Sequence, residues 1–101
     1  MDHLWTWSGK YFGCREGNDL WTYRGRHVGR FEGDDVYGTD GRYLGELIDE
    51  SRLITNITKR SCYCSTLAPH EMRAGHAPHA GRPGYTPYAG FQDFPAPNSF
   101  D

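Results

Sequence analysis

Thiolate and imidazole side chains gather in one stretch of this chain, Cys62-x-Cys64-x5-His70-x5-His76-x2-His79. Those are the ligands that zinc and copper prefer, and a chain with little structure of its own can fold around an ion because binding supplies the ordering energy. As a metal site the pattern has two faults. Cys-x-Cys is not the Cys-x2-Cys knuckle of structural zinc, and Pro69 and Pro78 restrict how the chain can wrap. Without an ion the same residues read as a last strand through Cys62 to Cys64 followed by a polar tail, and no cofactor is called for.

Other chemistry has weaker footing. A Cys or Ser nucleophile needs a histidine and an orienting acid beside it. Besides His3 near the start, His27 is the one histidine before Ser61, and no sequence rule sets it next to Cys14. A small hydrolase is therefore the least supported reading. The acid pairs Asp34-Asp35 and Asp49-Glu50 fall in connections, where carboxylates make turns soluble. Arg24, Arg26, Arg30 and Arg42 interleave with Tyr23 and Tyr43, the raw material of single-strand nucleic-acid binding. Glu32, Asp34, Asp40 and Glu46 lie among them, so the better reading is a mixed, solvated face and nucleic acid is disfavoured.

The bulk properties agree. A chain of 101 residues has room for one small domain and a tail. Its charge is nearly balanced, 11 basic against 13 acidic residues, which gives no field for gripping an anionic polymer or membrane. No apolar run approaches the ~20 residues that span a bilayer, and the segment MDHLWTWSGK lacks the pattern of a secretory signal. With an odd number of cysteines and no framework spacing, these features point to a cytoplasmic protein.

Whatever residues act, a repeat must position them. LWTWSGKYFGCREG from Leu4, LWTYRGRHVGRFEG from Leu20 and VYGTDGRYLGELID from Val36 follow one another at a spacing of sixteen residues. Trp5, Trp21 and Tyr37 align, as do Gly9, Gly25 and Gly41, and again Gly13, Gly29 and Gly45. The runs are short, aromatic and β-branched, with x-Gly between them, which is hairpin punctuation. A two-residue turn then sets Trp21 opposite Val28, Trp5 opposite Phe12 and Tyr37 opposite Leu44. Gly9, Gly25 and Gly41 supply the turns, while Gly13, Gly29 and Gly45 mark a close approach of neighbouring backbone or a large side chain. A degraded fourth copy runs from Ser51 to Ser61, with Leu53 at the aromatic position and Asn56 offering turn chemistry. The expectation is an all-β domain over 1–61, four pseudo-symmetric hairpins around a common axis with Trp5, Trp21, Tyr37 and Leu53 as a core ring.

The series W-x-x-x-G-x-x-x-G and Y-x-x-D-G-R-x-x-G, with a Pro-rich tail ending in Asn98-Ser99-Phe100-Asp101, resembles the small bacterial family known as the 4-fold beta flower domain. The resemblance covers about Leu4 to Ser61. It implies four short β-hairpins around a pseudo-fourfold axis and carries no established activity, hence no functional residues. Tyrosine-aspartate toxin repeats and choline-binding repeats share some texture but have periods longer than sixteen.

All six prolines lie beyond Ser61, so 62–101 reads as a flexible Pro/Gly/His/aromatic-rich tail whose removal leaves the hairpin domain folded. Tyr85, Tyr88, Phe91, Phe94 and Phe100 exceed what a solvating linker needs and are expected to dock on the core or on a partner. The function expected is a non-enzymatic binding or protein-interaction module. Tyr11, His27 and Tyr43 point away from the ring, and Trp7, Tyr23 and Thr39 sit at its rim next to the turns. Trp7, Tyr23, His27 and Tyr43 are the named binding candidates. The partner is an unknown protein, with a homo-oligomer open through unpaired strand edges. A metal-binding protein using zinc at Cys62, Cys64, His70, His76 and His79 is the runner-up.

Overall fold

Glycine-punctuated aromatic runs become strands here because β-branched and aromatic side chains fit a pleated, half-buried surface. The computed structural model describes residues 2–59, 61–66, 68–86 and 88–100. Its strands are β1 (Asp2–Thr6), β2 (Tyr11–Glu16), β3 (Asp19–Thr22), β4 (His27–Glu32), β5 (Asp35–Gly38), β6 (Tyr43–Ile48), β7 (Arg52–Asn56) and β8 (Phe91–Asp93). Each of β1 to β7 pairs antiparallel with the next, and β1 returns parallel to β7 through Trp5↔Arg52 and Thr6↔Leu53. The result is a closed seven-stranded barrel with β8 added to the other half of β7. Among the described residues no helix is long and apolar enough to cross a membrane.

Each of the three hairpins carries the same irregularity. Leu4↔Gly13, Leu20↔Gly29 and Val36↔Gly45 are opposed, but the next pairs are Trp5↔Tyr11, Trp21↔His27 and Tyr37↔Tyr43. One residue is skipped each time, namely Phe12, Val28 and Leu44. This corrects the expected register, in which those three faced Trp5, Trp21 and Tyr37. A bulge turns two successive side chains to one side, so Phe12 and Val28 join Leu4, Leu20, Val36, Phe31, Leu53 and Phe94 inside the barrel, with Leu44, Leu47 and Phe100 packed against them. Trp5, Trp21 and Tyr37 are displaced from the expected core ring to the outer face; of the four, Leu53 alone fills the interior.

The fourth copy also departs from expectation. Asn56 Oδ1 accepts from Thr58 N–H and Oγ1–H, which starts a 3-10 turn at Ile57–Lys59 instead of a hairpin. Ile57 stands where the other units have glycine, and a β-branched residue resists the positive φ such a turn needs. β7 takes its antiparallel partner from the tail instead, through Ile54↔Asp93, Thr55↔Gln92 and Asn56↔Phe91. Phe94 follows directly, is almost fully buried and meets Phe12 edge-on at 5.3 Å. A Cβ on Gly45 would lie 2.5 Å from the Ile54 carbonyl oxygen and 2.6 Å from the Phe94 ring.

Candidate functional site

The outward pairs Trp5/Tyr11, Trp21/His27 and Tyr37/Tyr43 form a belt around the barrel, yet most of it is hidden from solvent. Trp5, Tyr11, Trp21, His27 and Tyr43 are all buried. Their cover is the tail, which leaves the 3-10 turn and runs over the hairpin tips in reverse order, third, second, first.

At each tip the same contact recurs. Cys64 N–H donates to Gly41 O at 2.8 Å, Arg73 N–H to Gly25 O at 3.0 Å and Arg82 N–H to Gly9 O at 2.9 Å. These turn glycines have φ of +83°, +91° and +98°. A Cβ on any of them would also strike the carbonyl oxygen of the very strap residue it binds, Cys64, Arg73 or Arg82. Flanking bonds tie the strap further, with His76 N–H on Tyr23 O at 2.8 Å, Tyr85 N–H on Trp7 O at 3.0 Å and Tyr43 N–H on Cys62 O at 3.1 Å.

Side chains repeat as well. The Arg73 guanidinium lies 3.9 Å over Trp21, and that of Arg82 lies 3.7 Å over Trp5. His70 stacks on Trp21 with centroids 5.9 Å apart and on His27 at 4.6 Å, while His79 stacks on Tyr11 at 4.6 Å. Trp5 and Trp7 donate their indole N–H to Ala80 O and Thr86 O. On β7 the buried Arg52 donates to Pro83 O at 2.8 Å and lies under Tyr85. Tyr85 and Tyr88 pack on Trp7 at 4.8 and 5.3 Å and remain half exposed.

A sequence signal for this strap exists and was missed. Ala68-Pro69-His70 returns as Ala77-Pro78-His79 and then as Thr86-Pro87-Tyr88, nine residues apart, and Arg73 returns as Arg82. Nine extended residues cover the arc that takes sixteen in the barrel, because a hairpin spends its length going out and back.

The named binding candidates therefore face the strap. Trp7, His27 and Tyr43 are buried and Tyr23 is half-buried. Burial pushes the phenols of Tyr11 and Tyr43 up to about 12, so both stay protonated. The Tyr43 hydroxyl Oη accepts from Asn56 N–H at 3.1 Å and the Tyr11 Oη lies 2.9 Å from His3 Nδ1.

The expected metal ligands are strung along the strap and do not converge. Cys62 and Cys64 lie at the third tip, where Arg30 Nη2 donates to Cys64 Sγ at 3.4 Å. His70 sits at the second, and His76 and His79 sit beside His3 and Tyr11 near the first. A different group, Asp19, His27 and His70, does bring its donor atoms within 4.8 Å of one another. Its protonation pattern does not fit an ion. His27 Nδ1 accepts the backbone N–H of His70 at 2.9 Å, which leaves the ring proton on Nε2, 3.1 Å from Asp19 Oδ1. A metal-bound imidazole needs the reverse, a lone pair toward the ion and an N–H toward an acceptor. With the Nδ1 lone pair taken by the strap amide and the proton on Nε2, His27 in the closed form has no lone pair free to act as a general base. Cys14 is buried opposite Trp21, with Arg73 Nη2 3.5 Å from its sulfur; burial pushes its thiol up despite that cation, so it is a poor nucleophile. A cleft of about 350 Å³ opens between the second and third tips, lined by Arg26, Thr39, Asp40, His70, Met72 and Phe100.

No family model, no curated protein and no solved structure matches this chain.

Proposed function

We propose that this chain is a non-enzymatic binding module whose barrel holds an extended peptide across its hairpin tips, with its own tail as the resident occupant. The carrying observation is repetition: three turn glycines accept the same strap hydrogen bond, and two tryptophans meet the same arginine contact. A chance docking of a flexible tail has no reason to recur in register. Extended-segment recognition of this kind draws affinity from main-chain bonds and selectivity from side-chain pockets. Tyr85 and Tyr88 on Trp7, together with Tyr63 and Met72, are the exposed apolar residues through which the covered barrel meets a protein partner.

We read the barrel as four two-stranded units around one axis, β8 standing in for the missing strand of the fourth, and as a member of the 4-fold beta flower group. Three free thiols favour a reducing compartment, the cytoplasm. The test replaces residues 62–86 by a flexible Gly/Ser linker of equal length, keeping β8, and adds a 62–86 peptide in trans. Saturable binding that a scrambled peptide fails to reproduce supports the reading; equal binding of both peptides, or of neither, sinks it.

A further inference from the structure

We propose that the strap is a proton-operated latch: above neutral pH it lies closed on the aromatic belt, and acidification releases it from the second and first hairpin tips while the barrel stays folded. The inference stands apart from the binding reading, because release is observed on the strap itself.

All five histidines of the chain, His3, His27, His70, His76 and His79, lie where strap meets barrel. They form two clusters. In the first, His27 on β4 is buried against His70 of the strap, ring centroids 4.6 Å apart, and Asp19 on β3 reaches both, 3.1 Å from His27 Nε2 and 3.2 Å from His70 Nε2. In the second, His3 on β1 and His79 of the strap have centroids 4.1 Å apart, and His76 lies 5.9 Å from His79.

In the first cluster the coupling is geometric. The proton of neutral His27 is on Nε2, facing Asp19, so a second proton can enter only at Nδ1. Nδ1 is the atom that receives the strap amide of His70 at 2.9 Å. Protonation of His27 and docking of His70 thus compete for one lone pair. In the second cluster two or three imidazolium charges would crowd within stacking distance, which like charges resist.

Charges of both signs surround the two clusters. Asp19 opposes release by favouring a proton on His27, yet it cannot restore an acceptor for the His70 amide. Arg73 over Trp21 pairs with Glu16, and Arg26 lines the cleft shared with His27 and His70. Beside His3 stands Asp2, which favours the proton; Lys10 and Arg24 share a cleft with His79, and Arg82 covers Trp5.

Burial first, and then His70, hold His27 below its ordinary 6.5 although Asp19 pulls it up; burial and the neighbouring histidines lower His3 likewise. The closed form therefore binds fewer protons than the open one. Closure is complete above about 6.5 and weakens as pH falls from there toward the depressed values, by up to about tenfold per pH unit for each group.

The test is native-state amide exchange by NMR on the full chain from about pH 8 to about pH 5, expressed as protection factors to remove the intrinsic pH dependence. The amides of His70, Arg73 and His76 are expected to lose protection by about tenfold per pH unit below 6.5, while ladder amides of β3 and β4 keep theirs. In His27→Asn, whose Oδ1 replaces Nδ1 as an acceptor that does not titrate, protection at His70 stays level. A second measurement needs no variant: ¹⁵N shifts of the His27 ring should show Nδ1 gaining its proton in step with the loss of His70 protection. Uniform loss across strap and barrel, constant strap protection to the acid limit, or Nδ1 protonated while the His70 amide stays protected would each overturn the latch.

Discussion

Replacing Gly25 by alanine separates what the turn needs from what the strap needs. The residue has φ +91°, and a Cβ there would overlap the Arg73 carbonyl oxygen. Gly33 is the control: it has φ +62° and nothing within 4 Å of a built Cβ. Both alanines carry the left-handed backbone cost, about 1–2 kcal/mol. Only Gly25→Ala must also lift the strap, losing the Arg73 N–H to Gly25 O bond, about 0.5–1.5 kcal/mol, and the Arg73 contact on Trp21, about 0.5–2 kcal/mol. The difference of about 1–3.5 kcal/mol converts to roughly 4–28 °C in Tm for a chain of this size. The assay is a pair of thermal melts under identical conditions, with amide exchange at Arg73 and His76 read alongside. Gly25→Ala should melt lower and expose those two amides, while Gly33→Ala keeps them protected. Equal melting temperatures with Arg73 still protected in both variants would refute the close approach of Arg73 to Gly25.

Three further outcomes are expected. Phe94→Ala should cost about 3–5 kcal/mol in urea unfolding, because Phe94 packs on Phe12 and against Gly45; a loss below about 1 kcal/mol would mean that β8 contributes little to the fold. Asp49 and Glu50 both hold positive φ, +55° and +63°, so Asp49→Asn with Glu50→Gly should stabilise by about 1–2 kcal/mol, and no gain in Tm would argue against that turn geometry. Equilibrium dialysis of reduced protein should find no stoichiometric zinc, since His27 offers no lone pair and Cys62 and Cys64 lie away from His76 and His79; one bound ion per chain would contradict the tautomer argument.

The hairpins were readable because each needs one residue at one place, a glycine at the tip, and such positions leave a fixed trace at sixteen residues. Which face those hairpins buried was not. A bulge between Leu20 and Trp21 moves one side chain across the sheet without changing the spacing of the glycines, so the same letters fit a Trp-filled core and a Leu-filled one. Size gives the reason in hindsight: a seven-stranded barrel has room for Leu4, Leu20 and Val36, while indole rings fit better on the outside under arginine. The fourth unit was legible only as a rhythm, because its closing strand lies beyond the Pro-rich stretch, at Phe91–Asp93. The strap is the largest omission. Proline and histidine suggest an unpacked tail by composition, and only the nine-residue recurrence of Pro-His and Arg betrays that it lies on something periodic.

The central claim is that the tail docks on the three turn glycines. Its most direct measurement is amide exchange at Cys64, Arg73 and Arg82 in the intact chain near neutral pH, where their partners are Gly41, Gly25 and Gly9. The account predicts that all three are protected well above the unfolded-chain rate, beside unprotected strap neighbours whose N–H groups face solvent. Exchange of all three at the unfolded-chain rate, with the barrel ladder still protected, would contradict it.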